Sequence, residues 1–171
     1  MSTMAAEQNG EIRVLRQQVS MAHHVVRLNV EGLTQEETLL KPSGGGNCMN
    51  WVVGHLLAIY DVTLPALGQK PVLAPAIQKR YDRGSAPLRD GTEAVQIGEL
   101  MTAWDESTRR VDAGLASLDA DALGSPAPFS PGNDPKETLG TLLTTILWHQ
   151  AYHVGQTGIL RRVAGKKGTI G

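Results

Sequence analysis

Three histidines occupy positions where the helical pattern of the chain calls for apolar residues: His55, His149 and His153. Residues four apart on a helix lie about 40° apart around its axis and about 6 Å apart along it, so the rings of His149 and His153 can reach one common point. A neutral imidazole offers a lone pair to a cation, and three protein ligands with one open position are typical of catalytic zinc. The three histidines are therefore candidate ligands of a divalent metal.

The alternative is that each of these histidines is an ordinary core residue, hydrogen-bonded to a neighbouring hydroxyl or carbonyl group. For a single histidine that interpretation would be preferred. An unpaired buried polar group costs about 1–3 kcal/mol, however, and a whole domain is stable by only about 5–15 kcal/mol. A shared cation would satisfy all three rings together, so we expect a metal site.

Several residues beside these histidines have types that could assist them. Gln156 lies one helical turn beyond His153 and is expected to hold a ligand imidazole or the metal-bound water, with a helix-end hydrogen bond as the alternative. Trp51 and Tyr152 are expected to line a pocket, with core packing as the alternative. Cys48 is expected to be a small buried hydrophobe and not a nucleophile.

Other polar residues are excluded from the metal site. Gln150 stands where the zinc-protease helix H-E-x-x-H has its glutamate, and an amide cannot act as the general base of that hydrolysis. His23 and His24 are adjacent, so their side chains point in two directions around a helix. We therefore assign neither of them as a metal ligand.

The elements that carry these residues are outlined by proline, which breaks helix interiors at a cost of about 3 kcal/mol. Between the clustered prolines, apolar residues recur in steps of three and four, as on one face of a helix. Thr92 is a plausible N-cap for the third of these segments. The pattern predicts long helices over residues 11–32, 48–66, 93–118 and 139–160.

Average steps of 3.5 residues are typical of the seam of a left-handed bundle, and no alternating strand pattern is present. We therefore predict an all-α four-helix bundle. The link over residues 65–91 is longer than the loops that join antiparallel neighbours, which predicts a crossover and an up-down-down-up arrangement. A short helical turn is expected at residues 35–39 and an irregular, exposed link at 119–135.

Length and composition bound the function. A chain of 171 residues with 41% hydrophobic residues predicts one domain over 1–171, with a frayed lead-in at 1–10 and a tail at 165–171. A net charge of -1 argues against nucleic acid as a partner. No apolar stretch reaches the ~18 residues of a membrane span, so no membrane is expected. The single cysteine excludes an internal disulfide and suits the cytoplasm.

Two segments resemble the sequence boxes of the DinB-like superfamily of bacterial four-helix metal-binding proteins. Residues 50–56, NWVVGHL, resemble the N-W-x-x-G-H-L box, and residues 149–156, HQAYHVGQ, resemble the H-x-x-Y-H-x-G-Q box. The resemblance implies that His55, His149 and His153 bind zinc, nickel or a similar metal. It also implies the up-down-down-up bundle and a homodimer.

The resemblance further implies a metal-dependent transferase that activates a low-molecular-weight thiol, such as bacillithiol, mycothiol or glutathione, for attack on small electrophiles. Donors for the charged groups of the thiol would lie at the mouth of the pocket, which the topology places near residues 44–47, Arg89, Arg161, Arg162, Lys166 and Lys167. The alternatives are a metal-dependent hydrolase that uses metal-bound hydroxide and a non-catalytic metal-binding stress protein.

Overall fold

The computed structural model describes residues 2–89, 91–119 and 121–170, with side chains from residue 10 onward. Within these ranges the chain forms helices and no strand, which confirms the predicted all-α class. The α-helices are α1 (Ser2–Val30), α2 (Gln35–Thr38), α3 (Met49–Thr63), α4 (Pro75–Tyr81), α5 (Ile97–Ala116) and α6 (Leu139–Val163). Short 3₁₀ turns cover Leu64–Leu67, Gly91–Glu93 and Ala122–Gly124.

Helices α1, α3, α5 and α6 pack into the bundle, with α1 and α3 each lying between α5 and α6. Ion pairs between α1 and α5 give their relative direction. Arg16 pairs with Asp112 at 2.7 Å, whereas Arg27, farther along α1, pairs with Asp105 at 2.6 Å, earlier on α5. Helices α1 and α5 are therefore antiparallel.

The other long helices take their directions from similar contacts. Asn50 at the start of α3 donates to the carbonyl of Val95 just before α5, and the Tyr60 ring stacks on Trp104 farther along both helices. Helices α3 and α5 are therefore parallel. Arg161 near the end of α6 donates to the carbonyl of Asn29 near the end of α1, so the C-terminal ends of these two helices meet. Helices α1 and α6 are therefore parallel. These directions together give an up-down-down-up arrangement.

The core between these helices is mainly aliphatic, as the low aromatic content requires. Its largest fully buried side chains include Trp104, Tyr60 and Tyr81 among many leucines. Of the helices described, none is both long and apolar enough to cross a bilayer.

Two helix starts differ from the sequence prediction. Helix α1 begins at Ser2 and not at residue 11, because the residues 4–8, MAAEQ, favour helix even though they carry no apolar stripe. The lead-in expected at residues 1–10 is thus helical from Ser2 onward, and residues 1 and 171 lie outside the described ranges.

The predicted start of α5 is wrong. The 3₁₀ turn Gly91–Glu93 contains Thr92, and α5 begins only at Ile97. The intervening backbone is held by side chains from other segments. The Val95 N–H donates to the Tyr81 hydroxyl, and the Ile97 N–H donates to the side chain of Gln35. These long-range bonds replace the helical bonds that the periodicity suggested.

The long link contains a helix that the sequence analysis missed. Helix α4 has Pro75 at its first position, where the missing N–H costs nothing. It places the Tyr81 ring directly against Gly54 of α3, where a Cβ atom would clash with the ring carbons. Seven residues are too few for a periodic pattern to be recognised. The crossover is therefore partly ordered by its packing on α3.

Gly54→Ala should destabilise the protein by about 1–3 kcal/mol, because the added methyl group overpacks the contact with Tyr81. Gly155→Ala is the matched control: that glycine lies within α6 with nothing near its Cβ position, so alanine should stabilise by about 0.5–1 kcal/mol. Urea unfolding of the two variants measures both effects. Equal stabilities would show that α4 does not press on Gly54.

Candidate metal centre

The site is built around His55, which α3 carries into the bundle at 3% exposure. Its Nδ1 atom lies 2.9 Å from the backbone carbonyl of Tyr81. A carbonyl oxygen only accepts, so Nδ1 carries the hydrogen and Nε2 keeps its lone pair. The ring also stacks on Trp51, with centroids 4.8 Å apart and planes 18° apart. The orientation of the His55 ring and its tautomer are both fixed by neighbours.

The segment that supplies this carbonyl is fixed by a second set of hydrogen bonds. The Tyr81 hydroxyl donates to the side-chain oxygen of Asn50 at 2.8 Å and accepts from the N–H of Val95. The Asn50 amide in turn donates to the carbonyl of Val95. Residues Asn50 and Gly54 of the first sequence box thus place Tyr81, and Tyr81 places His55.

Helix α6 brings the other two histidines to the same point. The Nε2 atom of His149 lies 3.3 Å from Nε2 of His55. The His153 ring lies 4.5 Å from His149 and 5.0 Å from His55 between centroids. The Nδ1 atom of His153 lies 2.8 Å from Oε1 of Gln156, so it donates its hydrogen and leaves Nε2 free. The three rings therefore converge as the spacing predicted.

This donor set fits a divalent metal. One ligand nitrogen from each of the three histidines lies within 4.8 Å of the other two. Two imidazole nitrogens bound to zinc at 2.0–2.1 Å with a tetrahedral angle are about 3.3–3.4 Å apart, close to the His55–His149 separation. The second bonds of His55 and His153, to a carbonyl and an amide oxygen, are those that orient metal-ligating imidazoles. The cluster could hold a metal ion.

Burial keeps two of these imidazoles neutral. It lowers the pKa of His55, against a smaller opposing effect of the hydrogen bond to Tyr81. Burial also lowers the pKa of His149, to about 4, with additional contributions from the positive charges of His153, His55 and Arg83. A neutral ring retains the lone pair that a metal requires. Both histidines can therefore donate to a cation at physiological pH.

The histidines lie in the wall of a cavity of about 830 Å³ that opens to solvent. This volume is within the range of small-molecule sites, about 300–1,000 Å³. Much of the wall is apolar, and Trp148 and Tyr152 stack on each other at 6.1 Å between centroids on its α6 side. The arrangement places a candidate metal site beside space for an organic ligand.

Most of the pocket residues expected from the sequence lie in this wall. Trp51, Tyr152 and Gln156 all line the cavity, and Gln156 holds the ring of His153. Cys48 is buried and is not part of the lining. Gln150 is also buried, and its amide donates to the carbonyl of Leu56 on α3.

The prediction that Arg161 lies at the mouth is wrong. Its guanidinium donates to the carbonyls of Asn29, Glu31 and Lys167, where α1 ends and the C-terminal segment crosses it. The preceding residue, Leu160, does line the cavity. Consecutive side chains on a helix point about 100° apart, so the side chain of Arg161 is directed to α1 while that of Leu160 faces the cavity.

Of the other residues expected at the mouth of the pocket, some line the cavity and others do not. Gly45, Gly46 and Asn47 line the cavity as expected, whereas Arg89, Arg162, Lys166 and Lys167 do not. Lys166 instead pairs with Glu37 at 2.8 Å.

Sequence reasoning missed Asp82 and Arg83, which follow α4 and line the cavity. Their charges stand beside a glycine in a turn, and no periodic signal marks them as functional. Only the position of Tyr81 against α3 brings them to the site.

His23 and His24 lie outside the cluster. His23 contacts Asp105 at 2.7 Å on the far side of the bundle, and His24 is exposed on α1. Leaving both out of the metal site agrees with these positions.

His149→Ala should abolish stoichiometric zinc binding, because it removes one of the three donors of the cluster. His24→Ala is the matched control and should keep about one zinc per chain, as expected of a single three-histidine site. Elemental analysis after metal loading and gel filtration measures both stoichiometries. Loss of zinc in both variants, or in neither, would contradict the ligand assignment.

Comparisons with known proteins agree with this architecture. No curated protein matches the chain at a significant level. The chain is similar in structure to a conserved protein from Enterococcus faecalis, with a TM-score of 0.70 at 18% identity over 90% of this chain and 97% of that one. The sequence model of the DinB superfamily matches residues 18–157, a span that includes His55, His149 and His153. The chain therefore belongs to the DinB superfamily.

Proposed function

We propose that the protein is a metal-dependent enzyme that activates a low-molecular-weight thiol for attack on small electrophiles. The observation that carries the proposal is the convergence of three imidazole nitrogens, within 4.8 Å of one another, in the wall of an open cavity of about 830 Å³. A structural metal site would have a closed set of protein ligands, whereas three ligands beside a cavity leave room for an exogenous one.

A divalent metal bound by neutral ligands would keep its full charge and so favour the thiolate form of a thiol bound beside it. Zinc and nickel both suit imidazole ligands. The thiolate sulfur would form a bond to an electrophilic carbon of the second substrate. The leaving group would depart with the electron pair of its broken bond, and the thiol proton would pass to solvent.

The residues of the chain would contribute orientation and a water-poor surface. The Tyr81 carbonyl and Gln156 hold the rings of His55 and His153, so the ligands need little rearrangement. Trp148 and Tyr152 offer an apolar surface on which the electrophile could lie. An electrophile lying on these rings would displace water from this part of the cavity and so strengthen the electrostatic interactions of the thiolate.

A second candidate function, metal-dependent hydrolysis, is favoured by the position of Asp82. The absence of a carboxylate beside the paired histidines on α6 argued against hydrolysis, but Asp82 lines the cavity, and its negative charge offsets a small part of the lowering of the His55 pKa by burial. One Asp82 oxygen accepts the N–H of Arg83 at 2.7 Å. A carboxylate there could accept a proton from an attacking water.

Zinc- or nickel-loaded protein should consume bacillithiol, mycothiol or glutathione in the presence of a chromogenic electrophile, and the thioether product should be detected by mass spectrometry. His149→Ala should reduce turnover to the rate of the uncatalysed reaction, because the metal would be lost. If none of the thiols binds or reacts with the loaded protein, the transferase proposal fails.

Hydrolysis is tested with a chromogenic ester and the loaded protein in the absence of thiol. If the second candidate is correct, Asp82→Asn should slow hydrolysis by about 100-fold or more, the usual contribution of a general base. The ester assay should be followed by absorbance at saturating metal. Hydrolysis that is absent in the unmodified protein, or unchanged by the substitution, would count against this candidate.

A further inference from the structure

The cavity contains a single cationic side chain among its described lining residues, that of Arg83. Arg83 is exposed at the cavity wall, and within the described part of the chain its guanidinium has no ion-pair partner. Other arginines near the bundle surface, such as Arg16 and Arg80, are paired with carboxylates. Arg83 is therefore free to bind an anionic group of a ligand.

The neighbouring carboxylate does not neutralise this position through a direct ion pair. Asp82 uses one oxygen to accept the backbone N–H of Arg83, which is a local turn contact. The planar guanidinium remains available for two parallel hydrogen bonds to a carboxylate.

Two other cavity residues also offer N–H groups or ring nitrogens without partners. The Nε1 atom of Trp51 and the Nδ1 atom of His149 are buried and have no hydrogen-bond partner among the residues that the structure describes. Both residues line the cavity. If Nε2 of His149 binds a metal, its Nδ1 atom carries a hydrogen and becomes a second unpaired donor. Both nitrogens are buried, so the exposed guanidinium of Arg83 is the charged donor that a ligand in the cavity can reach.

The part of the wall formed by α6 suits an uncharged portion of the ligand. Trp148 is 68% exposed and Tyr152 is 57% exposed, although both are large apolar rings stacked on each other. Exposed aromatic side chains of this size beside a cavity are typical of binding surfaces. The cavity therefore combines a cationic side with an aromatic side.

We infer, on the basis of the proposed function, that Arg83 selects thiols that carry a carboxylate, binding that group while the sulfur reaches the histidine cluster. Glutathione and bacillithiol carry carboxylates at neutral pH, whereas mycothiol carries none. Arg83 is thus a specificity-determining residue for the thiol, supplied by the turn that follows α4.

The test measures binding without an electrophile, so that it does not depend on turnover. Zinc-loaded protein is titrated with each of the three thiols by calorimetry. The unmodified protein should bind glutathione or bacillithiol more tightly than mycothiol. Arg83→Ala should weaken binding of the carboxylate thiols by about five- to tenfold, between the values for exposed and buried charged hydrogen bonds. Mycothiol binding should not change.

Two further variants separate charge from structure. Arg83→Lys keeps the positive charge but not the planar fork and should recover part of the lost affinity. Arg89→Ala, in the same link but outside the cavity lining, should bind all thiols as the unmodified protein does. Equal loss in the Arg83 and Arg89 alanine variants, or equal loss for mycothiol and the carboxylate thiols, would overturn the inference.

A second pair of probes keeps the inference testable if no thiol binds and the proposed function fails. Naphthoate and naphthamide share an aromatic body, and only naphthoate is charged. Preference for naphthoate that disappears in Arg83→Ala would support the role of Arg83 without thiol chemistry. A naphthoate preference that persists in Arg83→Ala would indicate coordination to the metal alone, and it would overturn the inference, as would equal affinity for the two probes.

Discussion

The hydrogen bond between His55 and the carbonyl of Tyr81 determines what the histidine cluster can do. Because the carbonyl only accepts, the bond commits the hydrogen of the ring to Nδ1 and turns the lone pair of Nε2 toward α6. That nitrogen then lies 3.3 Å from Nε2 of His149. Without this bond the ring could take the other tautomer and donate to His149, and the pair would become an ordinary hydrogen bond inside a core.

This bond depends on two residues of α3 whose role cannot be recognised from the sequence, because their partner lies far along the chain. Gly54 leaves the space that the Tyr81 ring occupies, and Asn50 binds the hydroxyl of that ring. The link between α3 and α5 therefore acts as more than a connection. Through residues 81–84 it supplies the carbonyl that orients His55 and two charged residues of the cavity, Asp82 and Arg83.

The parts of the molecule that could be predicted from the sequence are those governed by periodicity. The stripe that carries His149 and His153 placed both rings on the face of α6 that meets His55, because the period of the helix fixes directions within an element. Periodicity does not determine which segment of an irregular link returns to the core. The position of Tyr81 depends on a long-range contact with Gly54, so Asp82 and Arg83 could not be assigned to the cavity.

The two wrong predictions, for the start of α5 and for the position of Arg161, have the same physical origin. Thr92 has the residue type of an N-cap, but α5 starts later because side chains from α2 and α4 bind the backbone before Ile97. Arg161 has the positive charge expected at the mouth of the cavity. Its guanidinium instead donates to backbone carbonyls at the end of α1, which have no partner within that helix. In both cases hydrogen bonds between residues distant in sequence outweighed the local preference of the residue.

Hydrogen bonds and burial within the protein orient the histidines of the cluster, and this bears on its affinity for metal. His55 and His153 already have partners for their Nδ1 hydrogens, and burial already disfavours the protonated forms of His55 and His149. A metal that bound here would spend little of its binding free energy on ordering side chains or removing protons. The Nε1 atom of Trp51 and the Nδ1 atom of His149 have no acceptor in the described part of the chain, but both atoms are buried. An organic ligand beside the metal would therefore bind through the exposed groups of the cavity wall, the Arg83 guanidinium and the Trp148 and Tyr152 rings.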